Sequence, residues 1–188
     1  DMFSDSMFYA NVSTGFKSGG VSQADPNIDL PTTYGPEKIT AYQVGSKNRF
    51  LGRRLQLNGE LFYYDYEGFQ ALLPSFQPSG LLYFLTVNSQ EAEFYGGELE
   101  STFLVTPNDQ FDFSLAWIEA EFEEFVVGAT DNSGNRPAHT PKYTINLGYE
   151  RIFDLANGGD VTARVETRFV DDYFVEASNY LGGLQDSY

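Results

Sequence analysis

The residues best placed for chemistry are Glu98 and Glu100, two apart in the run Gly96-Gly97-Glu98-Leu99-Glu100. Glycoside hydrolysis uses two carboxyl groups roughly 5–9.5 Å apart, and residues i and i+2 of a strand stand about 7 Å apart on one face. The pattern is generic, however, and a polar row along one face of a strand accounts for it better than catalysis does. The single His139 cannot build a multi-histidine metal site or a triad with a second histidine. Between Pro137, Ala138 and Pro141 it reads as a loop residue. Asp131-Asn132-Ser133-Gly134-Asn135 looks like the start of a calcium loop, but Arg136 stands where glycine is needed and Lys142 where glutamate is needed. In Gly15-Phe16-Lys17-Ser18-Gly19-Gly20 the Lys-Ser pair precedes the last glycines, so this is no P-loop. The absence of cysteine excludes disulfides, thiol catalysis and cysteine-based zinc sites. The expectation is a non-enzyme without a cofactor.

The elements that position these residues are long strands. From Tyr34 to Tyr66 two of them are joined by a tight turn at Leu51–Arg54. Tyr42, Val44 and Ser46 alternate with Gln43, Gly45, Lys47 and Arg49. Leu55, Leu57, Gly59, Leu61 and Tyr63 alternate with Gln56, Asn58, Glu60, Phe62 and Tyr64. A period of two with unlike faces is the mark of a half-apolar sheet. The rest of the chain repeats the plan. A first strand over Met7–Lys17 precedes a loop from Ser18 to Pro36 punctuated by Pro26 and Pro31. The third strand is expected to run to about Leu73, and a loop with Pro74, Pro78 and Gly80 leads to a fourth over Leu82–Val105. A fifth covers Phe111–Val127, and the loop Gly128–Thr140 follows. Tyr143, Ile145, Leu147 and Tyr149 then alternate with Thr144, Asn146, Gly148 and Glu150. After a compact turn at Asp154–Asp160, Val161, Ala163, Val165 and Thr167 alternate with Thr162, Arg164, Glu166 and Arg168. The tail from Glu176 reads as loop.

Connections therefore alternate long and short, as in outer-membrane barrels with short periplasmic turns and long extracellular loops. Several strands exceed the usual length of about 5–6 residues and reach the about 9–11 needed to cross a bilayer at a tilt. The chain has no apolar run long enough for a membrane helix, a test that a barrel escapes because only alternate residues need be apolar. Its 17 Phe and 13 Tyr against 1 Trp suit interfacial girdles as well as a packed β core. A net charge of −16 excludes nucleic acid as a partner. Charge is also sorted along the strands. Lys47, Arg49, Arg53 and Arg54 gather at the first short turn; Glu119, Glu121, Glu123 and Glu124 lie at the long-loop end, with Asp171, Asp172 and Glu176. Such an acidic rim would bind divalent cations shared with lipopolysaccharide, or serve as a solvated edge that resists aggregation.

Tyr34–Glu37, Tyr42–Lys47, Phe50–Arg54 and Phe62–Tyr66, with Tyr9–Gly20 upstream and Thr86–Asn88 and Glu93–Glu100 downstream, together resemble the barrel of TonB-dependent outer-membrane receptors. The resemblance spans roughly Met7 to Phe174. It implies an all-β, antiparallel transmembrane β-barrel, with residues 1–188 forming about seven consecutive up-and-down strands of a cylinder of about 22. On that reading plug and remaining strands lie outside these residues, and the natural C-terminus lies beyond Tyr188. It also implies location in the bacterial outer membrane, among its lipid and lipopolysaccharide. The implied activity is energy-dependent import of a scarce solute such as a ferric siderophore, cobalamin or a glycan. The TonB complex would be engaged through an absent N-terminal segment. Gln43, Lys47, Glu60, Glu98, Glu100, Arg164, Glu166 and Arg168 are expected to face the lumen, and Tyr34, Phe76, Tyr83 and Arg136 are loop candidates for contacting the small solute or metal chelate. A passive porin and a soluble carbohydrate-binding β-sandwich remain as alternatives.

Overall fold

A computed structural model describes residues 5–22, 32–76, 80 and 82–188. Seven long strands form one antiparallel sheet: β1 (Ser6–Lys17), β2 (Glu37–Phe50), β3 (Leu55–Glu67), β4 (Glu91–Thr106), β5 (Asp109–Glu124), β6 (Tyr143–Asp154) and β7 (Asp160–Val170). Each pairs only with its neighbours in this order. The strands are 11 to 16 residues long, enough to cross a bilayer and, for the longest, to rise beyond it. Residues 51–54, 107–108 and 155–159 make the short turns at one end, and the long connections gather at the other.

The register explains the faces. Val44 pairs with Leu61 and Tyr42 with Tyr63, while Lys47 pairs with Asn58 and Gly45 with Glu60. The same parity carries across all seven strands, so one face of the sheet is apolar and the other polar. On the apolar face Phe8 is 75% exposed, Leu61 61%, Leu147 50% and Val165 71%. No second long sheet covers them among the described residues. An uncovered apolar face of seven strands far exceeds the patches that soluble proteins tolerate. Lipid is the solvent that such a face requires, and a two-layer sandwich is ruled out.

At the short-turn end, Leu51 and Arg53 adopt left-handed backbone, at φ 54° and 69°, which closes the turn between β2 and β3. Arg53 is fixed by donating through two nitrogens to Asp5, both at 3.2 Å. This guanidinium holds the Asp5 carboxyl below its ordinary value.

Packing of the ordinary kind occurs at the other end. Gly68, at φ +67°, terminates β3; a Cβ there would lie 2.9 Å from the Pro36 carbonyl oxygen. The chain then leaves the sheet as a separate hairpin, Gln70–Phe76 paired with Leu82–Asn88, and rejoins it at Glu91. The expected continuation of the third strand to Leu73, and of the fourth from Leu82, is therefore corrected. A chain that bends at Gly68 and again at Ser89-Gln90 can alternate without belonging to the long sheet. Ala71, Leu85 and Val87 of the hairpin bury against Ala92, Phe122, Phe125 and Ala177, with Tyr66, Phe69 and Phe94 around them. We expect Gly68→Ala to loosen this hairpin while leaving the long sheet intact, read as faster amide exchange at Ser89 and Gln90 only.

Three further differences are local. The Ser18–Pro36 stretch contains a short pair, Gly20–Val21 with Thr33–Tyr34. The fifth strand stops at Glu124, and Val126–Val127 turns aside to pair with Thr130–Asp131. The tail is not free loop. Tyr173–Phe174 pairs with Leu184–Gln185, and Tyr188 exchanges two backbone hydrogen bonds with Val170, at 2.8 and 3.0 Å. Pro26, Pro31 and Pro78 lie outside the described residues.

Candidate functional site

The polar face divides into two adjoining clusters. In the first, β1, β2, β3 and β4 converge on Glu60. Tyr9 donates to one of its carboxylate oxygens at 2.6 Å and Gln43 to the other at 2.9 Å. Asn11 in turn donates to Gln43 at 3.1 Å. Tyr9 reaches across because Gly45 opposes it; a Cβ on Gly45 would sit 2.5 Å from the phenol oxygen. Glu60 stands directly opposite Glu98, and Glu100 lies one step along the same face. These three carboxylates share a cavity of about 190 Å³ with Lys47, whose ammonium lies 5.9 Å from the Tyr9 ring. Like charges directly opposite on a sheet are destabilising, so this cluster is short of positive charge.

The second cluster centres on Arg164 of β7. It donates to Glu166 at 2.6 Å and Glu150 at 3.3 Å, and pairs with Asp112 at 3.2 Å. Asp112 also accepts from Thr102 and Gln110, both at 3.0 Å. Arg168 and Glu100 border the same basin of about 640 Å³. One guanidinium thus ties β5, β6 and β7 together across their polar faces. We expect Arg164→Met to leave three carboxylates without their shared cation. Because the site is wet, the loss of stability should be small, and it should grow at low salt in a urea titration.

Gln43, Lys47, Glu60, Glu98, Glu100, Arg164, Glu166 and Arg168 thus occupy one face. Tyr9 in the first cluster and Asp112 and Glu150 in the second share that face and are not singled out by sequence; the signal for Tyr9 is the glycine opposite it, visible only once register is known. The loop candidates stand apart from this face and from one another. Tyr34 packs over Gly20. Tyr83 is buried in the hairpin, its hydroxyl without a partner among the described residues. Arg136 pairs with Asp172 at 3.0 Å and lies 5.2 Å from Phe174, while its backbone is held at both ends by Asn179. The Phe76 side chain lies outside the described part. Glu176 does not belong to an acidic rim: it is 6% exposed and accepts from Ser178 and from the Tyr180 amide. His139 sits in a loop at φ 58°, its amide donating to Phe174.

The apolar face carries two aromatic rows. Tyr42, Tyr63, Tyr95, Trp117 and Tyr143 form one across β2 to β6, with Tyr42 and Tyr63 ring centres 6.3 Å apart and Tyr95 and Trp117 6.1 Å apart. Phe103, Phe111 and Tyr149 form the other, toward the short turns. Val44, Leu61, Leu99, Leu115, Ile145 and Leu147 fill the band between. Two aromatic girdles bracketing an aliphatic band are the outer surface of a membrane barrel. The family model described as "TonB dependent receptor-like, beta-barrel" matches residues 2–188. The chain belongs to the TonB-dependent receptor β-barrel family.

Its place is accordingly the bacterial outer membrane. Solved structures of this fold agree in architecture. The ferric yersiniabactin uptake receptor FyuA from Yersinia pestis superposes with a TM-score of 0.74 at 20% identity, over 100% of this chain and 26% of that one. The siderophore receptor PiuA from Acinetobacter baumannii gives 0.69 at 16%, over 98% and 26%. The copper transporter OprC gives 0.68 at 18%, over 100% and 26%. The chain spans about a quarter of the length of these receptors, and the likeness at such identity is one of fold.

Proposed function

We propose that residues 1–188 belong to a single transmembrane β-barrel domain of a receptor that imports a scarce solute through TonB-dependent energy coupling. The observation that carries this reading is the amphipathic seven-stranded sheet, girdled on one face and richly charged on the other, in a chain of this family. Gln43, Lys47, Glu60, Glu98, Glu100, Arg164, Glu166 and Arg168 then line the lumen, and the free edges of β1 and β7 pair with further strands of the wall. The carboxylates around Glu98, short of positive charge, favour a cationic surface of a plug packed against them. Contact with the TonB complex is made by a segment outside these residues.

The relatives named for ferric yersiniabactin and siderophores support a metal chelate as the solute, ahead of cobalamin or a glycan. A porin reading is weakened by the match to the TonB-dependent receptor barrel over residues 2–188. At the outer rim, Asp65, Glu93 and Glu121 stand opposite one another just beyond the tyrosine row. In this reading they meet lipopolysaccharide phosphates through shared divalent cations.

Uptake of radiolabelled ferric siderophores by cells carrying the full-length gene, with and without an intact TonB complex, tests the proposal. Accumulation that vanishes when TonB is removed supports it; equal accumulation in both backgrounds overturns it in favour of a passive pore.

A further inference from the structure

The 70–88 hairpin lies on one definite side of the wall. The long-sheet residues that it packs against are Tyr66 of β3, Ala92 and Phe94 of β4, and Phe122 of β5. In the register Tyr66 stands opposite Ala92, and Ala92 opposite Phe122. Steps of two along β3 and β4 from Tyr66 and Ala92 lead to Glu60 and Glu98. The hairpin therefore covers the polar face of the sheet, and not the face that carries the tyrosine row. At the same height the outer face bears Asp65 and Glu93, opposite one another. The chain from Gly68 to Gln90, by contrast, has no charged residue.

The hairpin is also fastened in this position. At its base the Gly68 amide donates to the Gln90 carbonyl at 2.9 Å and the Ser89 amide to the Phe69 carbonyl at 2.8 Å. The Asn88 side chain accepts from the Gly35 amide at 2.6 Å and donates to the Gly35 and Gly68 carbonyls at 3.1 and 2.6 Å. On one edge the Thr86 amide donates to the buried Ser22 hydroxyl at 3.0 Å. On the other the Ala177 amide donates to the Leu72 carbonyl at 3.5 Å. Both edges are thus tied to neighbouring connections. A sheet stacked on another sits about 10 Å from it, so the hairpin takes that depth from the space in front of the wall.

We propose that the hairpin is a fixed inner lining of the outer mouth, which fills the sector in front of β3 to β5 and leaves the solute the remaining opening. The inference rests on the barrel reading above, in which the polar face is the lumen. Leu72, Leu82 and Phe84, exposed on the side away from the wall, then front the opening, whereas the buried Tyr83 does not. A swinging lid would have to break the bonds at Asn88, Ser22 and Ala177 and uncover Phe122 and Phe125. The lining limits entry by size without moving.

The test uses the full-length receptor in outer membranes, with p-benzoylphenylalanine in place of Phe84 or of Asp65, both exposed positions. After irradiation, adducts are read by mass spectrometry. Asp65 lies on the outer face and should give adducts with lipopolysaccharide; Phe84 should give none. Lipopolysaccharide adducts at both positions overturn the lining and leave the barrel intact. No adduct at Asp65 overturns the assignment of faces, and the lining with it. Fixity is read by pulsed electron resonance in nanodiscs, between spin labels on Phe84→Cys and Gln56→Cys, two exposed positions. One narrow distance distribution is expected, and two populations overturn the proposal in favour of a lid.

Discussion

Leu147→Arg is expected to destabilise the membrane-inserted barrel by about 2–4 kcal/mol, the cost of an arginine at the bilayer midplane. Leu147 lies on the apolar face, half-exposed, with Phe113 and Thr167 beside it in the register. It is two residues from Ile145 and stands between the rows marked by Tyr143 and Tyr149. Among the described residues, the register neighbours Phe113 and Thr167 and the flanking Ile145 and Tyr149 offer no carboxylate to pair with a guanidinium. The neighbouring substitution Ser114→Arg provides the contrast, because Ser114 lies on the polar face, where the register places it between Glu100 and Asn146. That variant should fold nearly as well as the parent. Urea titrations of the intact barrel in liposomes, read by heat-dependent gel mobility, measure both. Equal stability of the two variants would mean that the faces are assigned wrongly.

Phe122→Ala should cost about 3–5 kcal/mol, but to a different part of the molecule. Its side chain is fully buried, with the Phe125 ring centre 4.6 Å away and Phe69 5.6 Å away. Its backbone also ties β5 to the 125–135 loop, donating to the Asn135 carbonyl at 3.0 Å and accepting from the Gly134 amide at 2.8 Å. The cavity left by alanine therefore opens beneath the 70–88 hairpin and the 125–135 loop together. Hydrogen exchange should accelerate at Ser89, Asn132 and Gly134, while amides in the paired middle of β4 and β5 stay protected. Exchange that rises evenly through the sheet would contradict the separation of loop module from wall.

The contrast between these two variants matches what was legible in sequence. Strands such as β6 and β7 were readable because a sheet between lipid and water imposes one rule on every second residue. Glu60, Glu98 and Arg164 followed from the same rule. The loop module obeys no such rule. Tyr83, Leu85 and Val87 alternate as cleanly as any wall strand, and only the bends at Gly68 and Ser89 show that they leave the sheet. The clasp of Arg136 by Asp172 and Asn179 joins residues about forty positions apart, and no local pattern encodes it. Distant pairing within loops depends on packing that a one-dimensional period does not carry.

The order of the sheet has a kinetic consequence. Every long strand bonds only to the strand before it and the strand after it, so each closure brings together residues near in sequence. Such local pairings carry a small loop-closure penalty. The wall can therefore be laid down one hairpin at a time, each new strand templated on the edge just completed. The slow events should be the long connections, whose buried aromatics must find partners from three separate segments after the strands are in place.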